Sequence, residues 1–209
     1  MKLLAFPLAA ALAVAFVPKA QAQFGVKGGV NLAKMTGRDG EVASYKTFYH
    51  IGLIFQGNLV GPLSIQPEIQ YSQQGGSLKG AFTDYDTKLH YFTVPVLLKL
   101  TLGPVFVEAG PQFGVLVNAT QNGEVQFSGA SPGGATYGQA DNQNVTDRYK
   151  RTDFDLAAGA GLKLGDLSLG GRFVAGLNDI NDAKNLTGVN DPRLQNRVFQ
   201  VYAGLQFGK

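Results

Sequence analysis

Apolar and polar residues alternate with a period of two along much of the chain after residue 23. Leu63, Ile65, Pro67, Ile69 and Tyr71 interleave with Ser64, Gln66, Glu68, Gln70 and Ser72. Such a segment is a β-strand with one face against an apolar medium and the other against a polar one. The pattern predicts eight strands, near residues 24–33, 47–59, 63–72, 88–100, 105–115, 153–163, 167–177 and 199–207. In the last, Phe199, Val201, Ala203, Leu205 and Phe207 oppose Gln200, Tyr202, Gly204 and Gln206.

The connections differ systematically in length. Val60-Gly61-Pro62, Leu102-Gly103-Pro104 and Gly165-Asp166 are tight turns, whereas residues 73–86, 118–150 and 178–195 read as long polar loops. In an up-and-down antiparallel barrel, alternate connections share a rim. One rim therefore carries three hairpins and both termini, and the other carries four long loops. Hydrocarbon leaves no backbone group unpaired, so a sheet can cross it only when closed, with apolar residues outward. The chain is expected to be all-β: an eight-stranded antiparallel up-and-down transmembrane β-barrel. A lipocalin-like barrel with the apolar face inward satisfies the same periodicity, but the loop asymmetry and the Phe and Leu of the last strand favour the outward orientation.

Ahead of the strands, Lys2, the apolar run Leu3 to Val17 and Ala20-Gln21-Ala22 have the form of a signal peptide. The run is shorter than the roughly 20 residues a spanning helix needs. Residues 1–22 are thus expected to be a cleaved leader and residues 23–209 the barrel domain. Cleavage would remove Lys2 and Lys19 and take the formal net charge from +3 to +1, too little to point to nucleic acid. With no cysteine in the chain, neither disulfides nor thiol chemistry is available. The 28 glycines and 16% charged residues suit short strands and turns.

The polar face holds Glu68, Lys99, Glu108, Asp155, Lys163 and Arg172. The interior of an eight-stranded barrel is just wide enough for side chains to fill, so these six are expected to form a lumenal charge network, structural or, as the alternative, lining a narrow ion path. Elsewhere chemistry is scarce. His50 and His90, the only histidines, have no second ligand at metal spacing. A lipid hydrolase would need Ser, His and an acid converging at the outer rim, and Ser72 with His90 are its only candidates. Gly159-Ala160-Gly161 lies within a strand and is not a nucleotide fingerprint. No catalytic residue, cofactor or metal is expected.

Three segments, Phe24 to Asn31 (FGVKGGVN), Tyr91 to Lys99 (YFTVPVLLK) and Val107 to Gln112 (VEAGPQ), resemble the outer-membrane β-barrel family labelled porin-like or PorT-type. The resemblance spans the mature chain and implies residence in the bacterial outer membrane; a namesake branch takes part in protein secretion. Relatives of this kind commonly end in a strand whose terminal aromatic resembles an assembly signal, a place that Phe207 would take. The expected partners are outer-membrane lipid, the barrel-assembly machinery during biogenesis and a surface or envelope partner met by the outer loops, with both termini periplasmic. Two functions fit: a structural or interaction barrel with a filled lumen, or a porin-like channel for small solutes or ions.

Overall fold

Alternation of this kind leaves each strand with backbone donors and acceptors on both edges, and a computed structural model of the chain shows how they are satisfied. The structure describes residues 22–36, 43–80, 83–127, 136–181 and 194–208. Ten strands follow in chain order: β1 (Ala22–Thr36), β2 (Ala43–Ser44), β3 (Lys46–Val60), β4 (Leu63–Gly80), β5 (Thr83–Leu102), β6 (Val105–Phe127), β7 (Thr136–Asn144), β8 (Thr152–Leu164), β9 (Leu167–Gly176) and β10 (Gln195–Phe207). Eight of them form a closed antiparallel barrel in the order β1, β3, β4, β5, β6, β8, β9, β10. Pairing of β1 with β10, from Phe24 opposite Phe207 to Thr36 opposite Gln195, completes the ring. The other two strands stand outside it, β2 on β4 and β7 on β6. The expected leader lies outside the described residues, apart from Ala22.

Side chains sort by parity. On β10, Phe199, Val201, Leu205 and Phe207 are exposed while Gln200, Tyr202 and Gln206 are buried. Ile51, Leu98 and Leu156 on other strands are likewise more than half exposed, or nearly so, at 61%, 53% and 51%. The outer surface is therefore an apolar belt, and the core of the molecule is its lumen. Tight turns at one end rely on Gly61, Gly103 and Gly165, each with φ near +60°; glycine has no Cβ to oppose that conformation.

At the opposite end the loops differ from expectation. Residues 73–80 and 83–86 are paired strand: β4 and β5 stay in register from Gln73 opposite His90 to Gly80 opposite Thr83. Much of 118–150 is also strand, because β6 runs on to Phe127 and β7 pairs with it. Beyond the apolar belt polar residues stand on both faces, with Gln74, Ser77 and Thr87 buried inward and Gln73, Lys88 and His90 half-buried outward, so no alternation remains in the sequence to reveal the pairing. Strands of 15–23 residues in β3 to β6 exceed the roughly 9–11 needed to cross a bilayer. The excess forms a wall projecting from the loop end.

Register also stacks the lumenal residues in layers. One polar row runs Lys99, Glu108, Gly159, Arg172, Gln200, Asn31 around the wall. Two residues toward the loop end, Gly110, Ala157, Val174, Val198 and Ala33 make an apolar row. Leu97 and Phe48 join its buried cluster. A second polar row follows: Gln112, Asp155, Gly176, Asn196 and Met35.

Candidate functional site: the lumen and its two closures

Four strands a quarter-turn apart, β1, β4, β6 and β9, each send one charged side chain to the middle of the lumen. Arg172 lies across it, fully buried. Its guanidinium grips Glu68 with two parallel bonds, Nη1 to Oε2 at 2.9 Å and Nη2 to Oε1 at 2.8 Å, while Nε donates to Glu108 at 2.8 Å. Lys27 completes the set, with Nζ 3.2 Å from Glu68. Two cations and two carboxylates make the cluster electroneutral; all three guanidinium nitrogens of Arg172 donate, and both carboxylates accept further neutral bonds, with Glu108 Oε2 left buried without a partner. Tyr202 donates its hydroxyl to Glu108 at 2.8 Å and lies under the Lys27 ammonium, 3.8 Å from the ring centre. Gln66 donates to Glu68 at 2.6 Å, and Gln70 donates to the same carboxylate. Gly170 makes room for Tyr202, since a Cβ there would sit 2.6 Å from its ring.

The six lumenal charges expected from sequence do not gather in one place. Glu68, Glu108 and Arg172 meet. Lys99 stands opposite Glu108 in register, yet its ammonium turns to Gln66 at 3.1 Å and lies 4.0 Å over the Phe106 ring. Lys163, near the turn end, reaches Gln23 at 3.4 Å. Asp155 is separated from Arg172 by the apolar row and accepts from Gln112 at 2.7 Å. Lys27, Tyr202 and Asp153 are missing from the sequence-based set. Parity carried the signal for all three, since each lies on the polar side of its strand, but only the closed ring shows which far wall each one faces.

Toward the loop end the lumen is capped by apolar side chains. Met35, Leu89, Leu116, Val145, Tyr149, Ile180 and Leu194 form one buried cluster. Ile180 is held there by backbone bonds on both sides, Lys150 N–H to its carbonyl at 2.8 Å and its own N–H to Leu194 at 2.9 Å. Asp179 clasps the segment, accepting from Lys150 Nζ at 3.1 Å and from the N–H groups of Asn181 and Leu194, both at 3.0 Å. Partial burial opposes its ionisation, but the N–H groups and the Lys150 ammonium outweigh it and hold the carboxyl below the ordinary Asp value. A depressed acid stabilises the fold above its unfolded pKa, about 3.9, and that contribution is lost as pH falls through the lower folded value. Amide exchange at Asn181 and Leu194 should therefore accelerate below about pH 4, over and above the intrinsic pH trend. In Asp179→Asn the extra acceleration should be absent.

Two other sequence-derived candidates separate. Ser72 is buried in the lumen, 2.9 Å from Asn31 Nδ2. His90, one residue past its partner in register, is on the outer face with Tyr71 Oη at 2.6 Å. Adjacent parity puts them on opposite sides of the wall, so they cannot share a proton, and the hydrolase pairing fails. His50 is lumenal and bonds Asn31 at 2.7 Å. Among the described residues no trio of His, Cys, Asp or Glu gathers as a metal site. Phe207 is on the exterior, 54% exposed, across from Phe24, whose ring is 5.5 Å from that of Phe55.

A family model described as outer membrane protein beta-barrel domain matches residues 18–182. No curated protein sequence matches the chain. Among solved structures, it is similar to Ail, the attachment invasion locus protein of Yersinia pestis, at 10% identity and TM-score 0.49, over 90% of this chain and 99% of that one. Neisserial surface protein A is similar at 12% identity and TM-score 0.48, over 88% and 97%. The outer membrane enzyme PagL is similar at 15% identity and TM-score 0.40, over 88% and 98%.

Proposed function

The chain belongs to the outer membrane protein β-barrel domain family, and from that premise we propose that it is a sealed barrel of the bacterial outer membrane whose interactions are made at its loop end. The observation that carries this reading is the four-way cluster at mid-lumen. Arg172 is joined to Glu68 and Glu108 from the far walls and is 0% exposed. A solute path would have to break bidentate ion pairs whose desolvated partners are costly to leave alone. The apolar cap around Ile180 is a second closure in series with it.

In this reading the tight turns and both termini are periplasmic and the projecting β4–β5 and β6–β7 hairpins face outward, as short and long connections do in such barrels. Lipid is the partner of the belt, the assembly machinery the partner of the unfolded chain, with Phe207 as the proposed signal, and an envelope or surface component the partner of the hairpins. The leader over residues 1–22 belongs to the same proposal. Rigid walls with variable projections are a common way to present a binding surface.

Single-channel recording of the refolded protein in a planar bilayer, against a detergent-only control, tests it. A silent membrane is expected, with folding confirmed by heat-dependent gel mobility. Reproducible conductance steps that change in Glu108→Ala would overturn the sealed-lumen reading in favour of a channel.

A further inference from the structure

We propose that the lumen contains a second site, an acidic chamber that binds a calcium-class cation between Asp153 and Asp155. Both carboxylates are lumenal, 2% and 3% exposed. They occupy the two rows above the apolar layer of Ala157, Val174 and Val198, which separates them from Arg172 and Lys27. Above them lies the cap containing Leu116 and Ile180. Among the described residues no ion pair joins either carboxylate to a basic side chain. Arg197, the adjacent cation on β10, is turned to the Gly176 carbonyl at 2.7 Å and to Gln195 at 3.0 Å. Two ionised carboxylates sealed between apolar layers without a counter-charge are strongly unfavourable, so the pair either takes up a proton or is joined by a cation.

The independent observation is the state of the neutral groups around them. Gln112 donates its amide N–H to Asp155 at 2.7 Å, and Asn196 donates to Asp153 at 2.9 Å. Both amides are thereby oriented, and their carbonyl oxygens, Gln112 Oε1 and Asn196 Oδ1, are left buried without partners. So is Asp155 Oδ1. Asp153 Oδ1 takes the Phe154 N–H at 2.9 Å, so the uncommitted atoms of the amides and carboxylates are Gln112 Oε1, Asn196 Oδ1 and Asp155 Oδ1, all acceptors, beside the Tyr91 and Thr93 hydroxyls, which are also buried without partners. What they lack is a positive centre that several oxygens can share. Gly114 and Gly176 keep space there: a Cβ at Gly176 would lie 3.4 Å from Asp155 Oδ1, and one at Gly114 3.6 Å from Asp153 Cβ.

Donor chemistry selects the ion. The set is two carboxylates and amide oxygens, with the Thr93 hydroxyl nearby; it holds no thiolate or imidazole, the sulfur of its row being the Met35 thioether. Hard cations fit such ligands. Calcium accepts Asn and Gln carbonyls and irregular geometry, whereas magnesium holds its waters and demands near-octahedral order. With only two acidic ligands, the affinity should be modest.

The test uses the refolded full-length barrel after chelation, with calcium chloride as the probe and heat-dependent gel mobility as the readout. Calcium in roughly hundredfold excess over its dissociation constant should raise the unfolding midpoint by about 5 °C or more, and magnesium should do less. Asp155→Asn should abolish the response while unfolding no earlier than the wild type in chelator. Because the chain has no tryptophan, terbium luminescence excited through tyrosine gives a second readout independent of folding variants. A Cβ at Gly114 would touch the Tyr91 ring at 3.4 Å, so Tyr91 stands beside Asp153 and should sensitise the ion, with loss of signal in Tyr91→Phe. An equal calcium response in wild type and Asp155→Asn would assign the ion to the surface and overturn the proposal. So would no calcium response and no Tyr91-dependent terbium signal in the wild type, which would leave a shared proton or water in the chamber.

Discussion

Replacing Arg172 by methionine should destabilise the barrel by about 3–5 kcal/mol, the usual cost of removing one partner from a buried ion pair. Methionine retains much of the volume, so the loss reports charge rather than a cavity. In its absence Glu68 keeps Lys27, at 3.2 Å, and the amides of Gln66 and Gln70. Glu108 keeps only the Tyr202 hydroxyl among its bonded partners here. The orphaned Glu108 is therefore the main source of the penalty, and Arg172→Met with Glu108→Gln should recover part of it. Urea unfolding of the refolded protein in detergent, followed by gel mobility, measures both. An unchanged midpoint in the single variant would mean that water solvates the cluster, and the sealed-lumen reading would lose its support.

Leu156→Arg should cost about 2–4 kcal/mol, because it sets a charge near the middle of the lipid-facing belt. Leu156 is 51% exposed and points away from the lumen, while its neighbours Asp155 and Ala157 are buried. The penalty belongs to depth rather than to packing. Leu164→Arg, at the turn rim on the same face of β8 and 54% exposed, should accordingly cost only about 0–1 kcal/mol. Refolding titrations into lipid vesicles give both values. Equal costs at the two positions would contradict a belt in hydrocarbon, and a detergent-only measurement would be expected to compress the difference.

The wall was legible because a membrane barrel writes its two solvents into every strand. Val26 and Val30 against Lys27 and Asn31, or Phe154 and Leu156 against Asp153 and Asp155, show the period without any knowledge of neighbours. Turn positions were equally local, since Gly61, Gly103 and Gly165 adopt a backbone conformation that few other residues tolerate. The hairpin from Gln73 to Asp86 was not legible. Its pairing depends on β4 and β5 already being aligned below it, and its polar residues stand on both faces, half-buried Gln73 on one and buried Gln74 on the other.

Sequence by itself determined the number of strands in the barrel wall, the inward and outward faces and the alternation of short and long connections, because each depends on residues near one another in the chain. Tertiary structure alone decided which lumenal charges meet. Arg172 is separated from Glu68 by 104 residues and from Glu108 by 64, and the closure and stagger of the ring bring them to one level. The same stagger places an apolar row between Arg172 and Asp155, so two residues of suitable charge on the same polar face never meet. Parity is a property of each strand, whereas height within the lumen is set by the register of all eight.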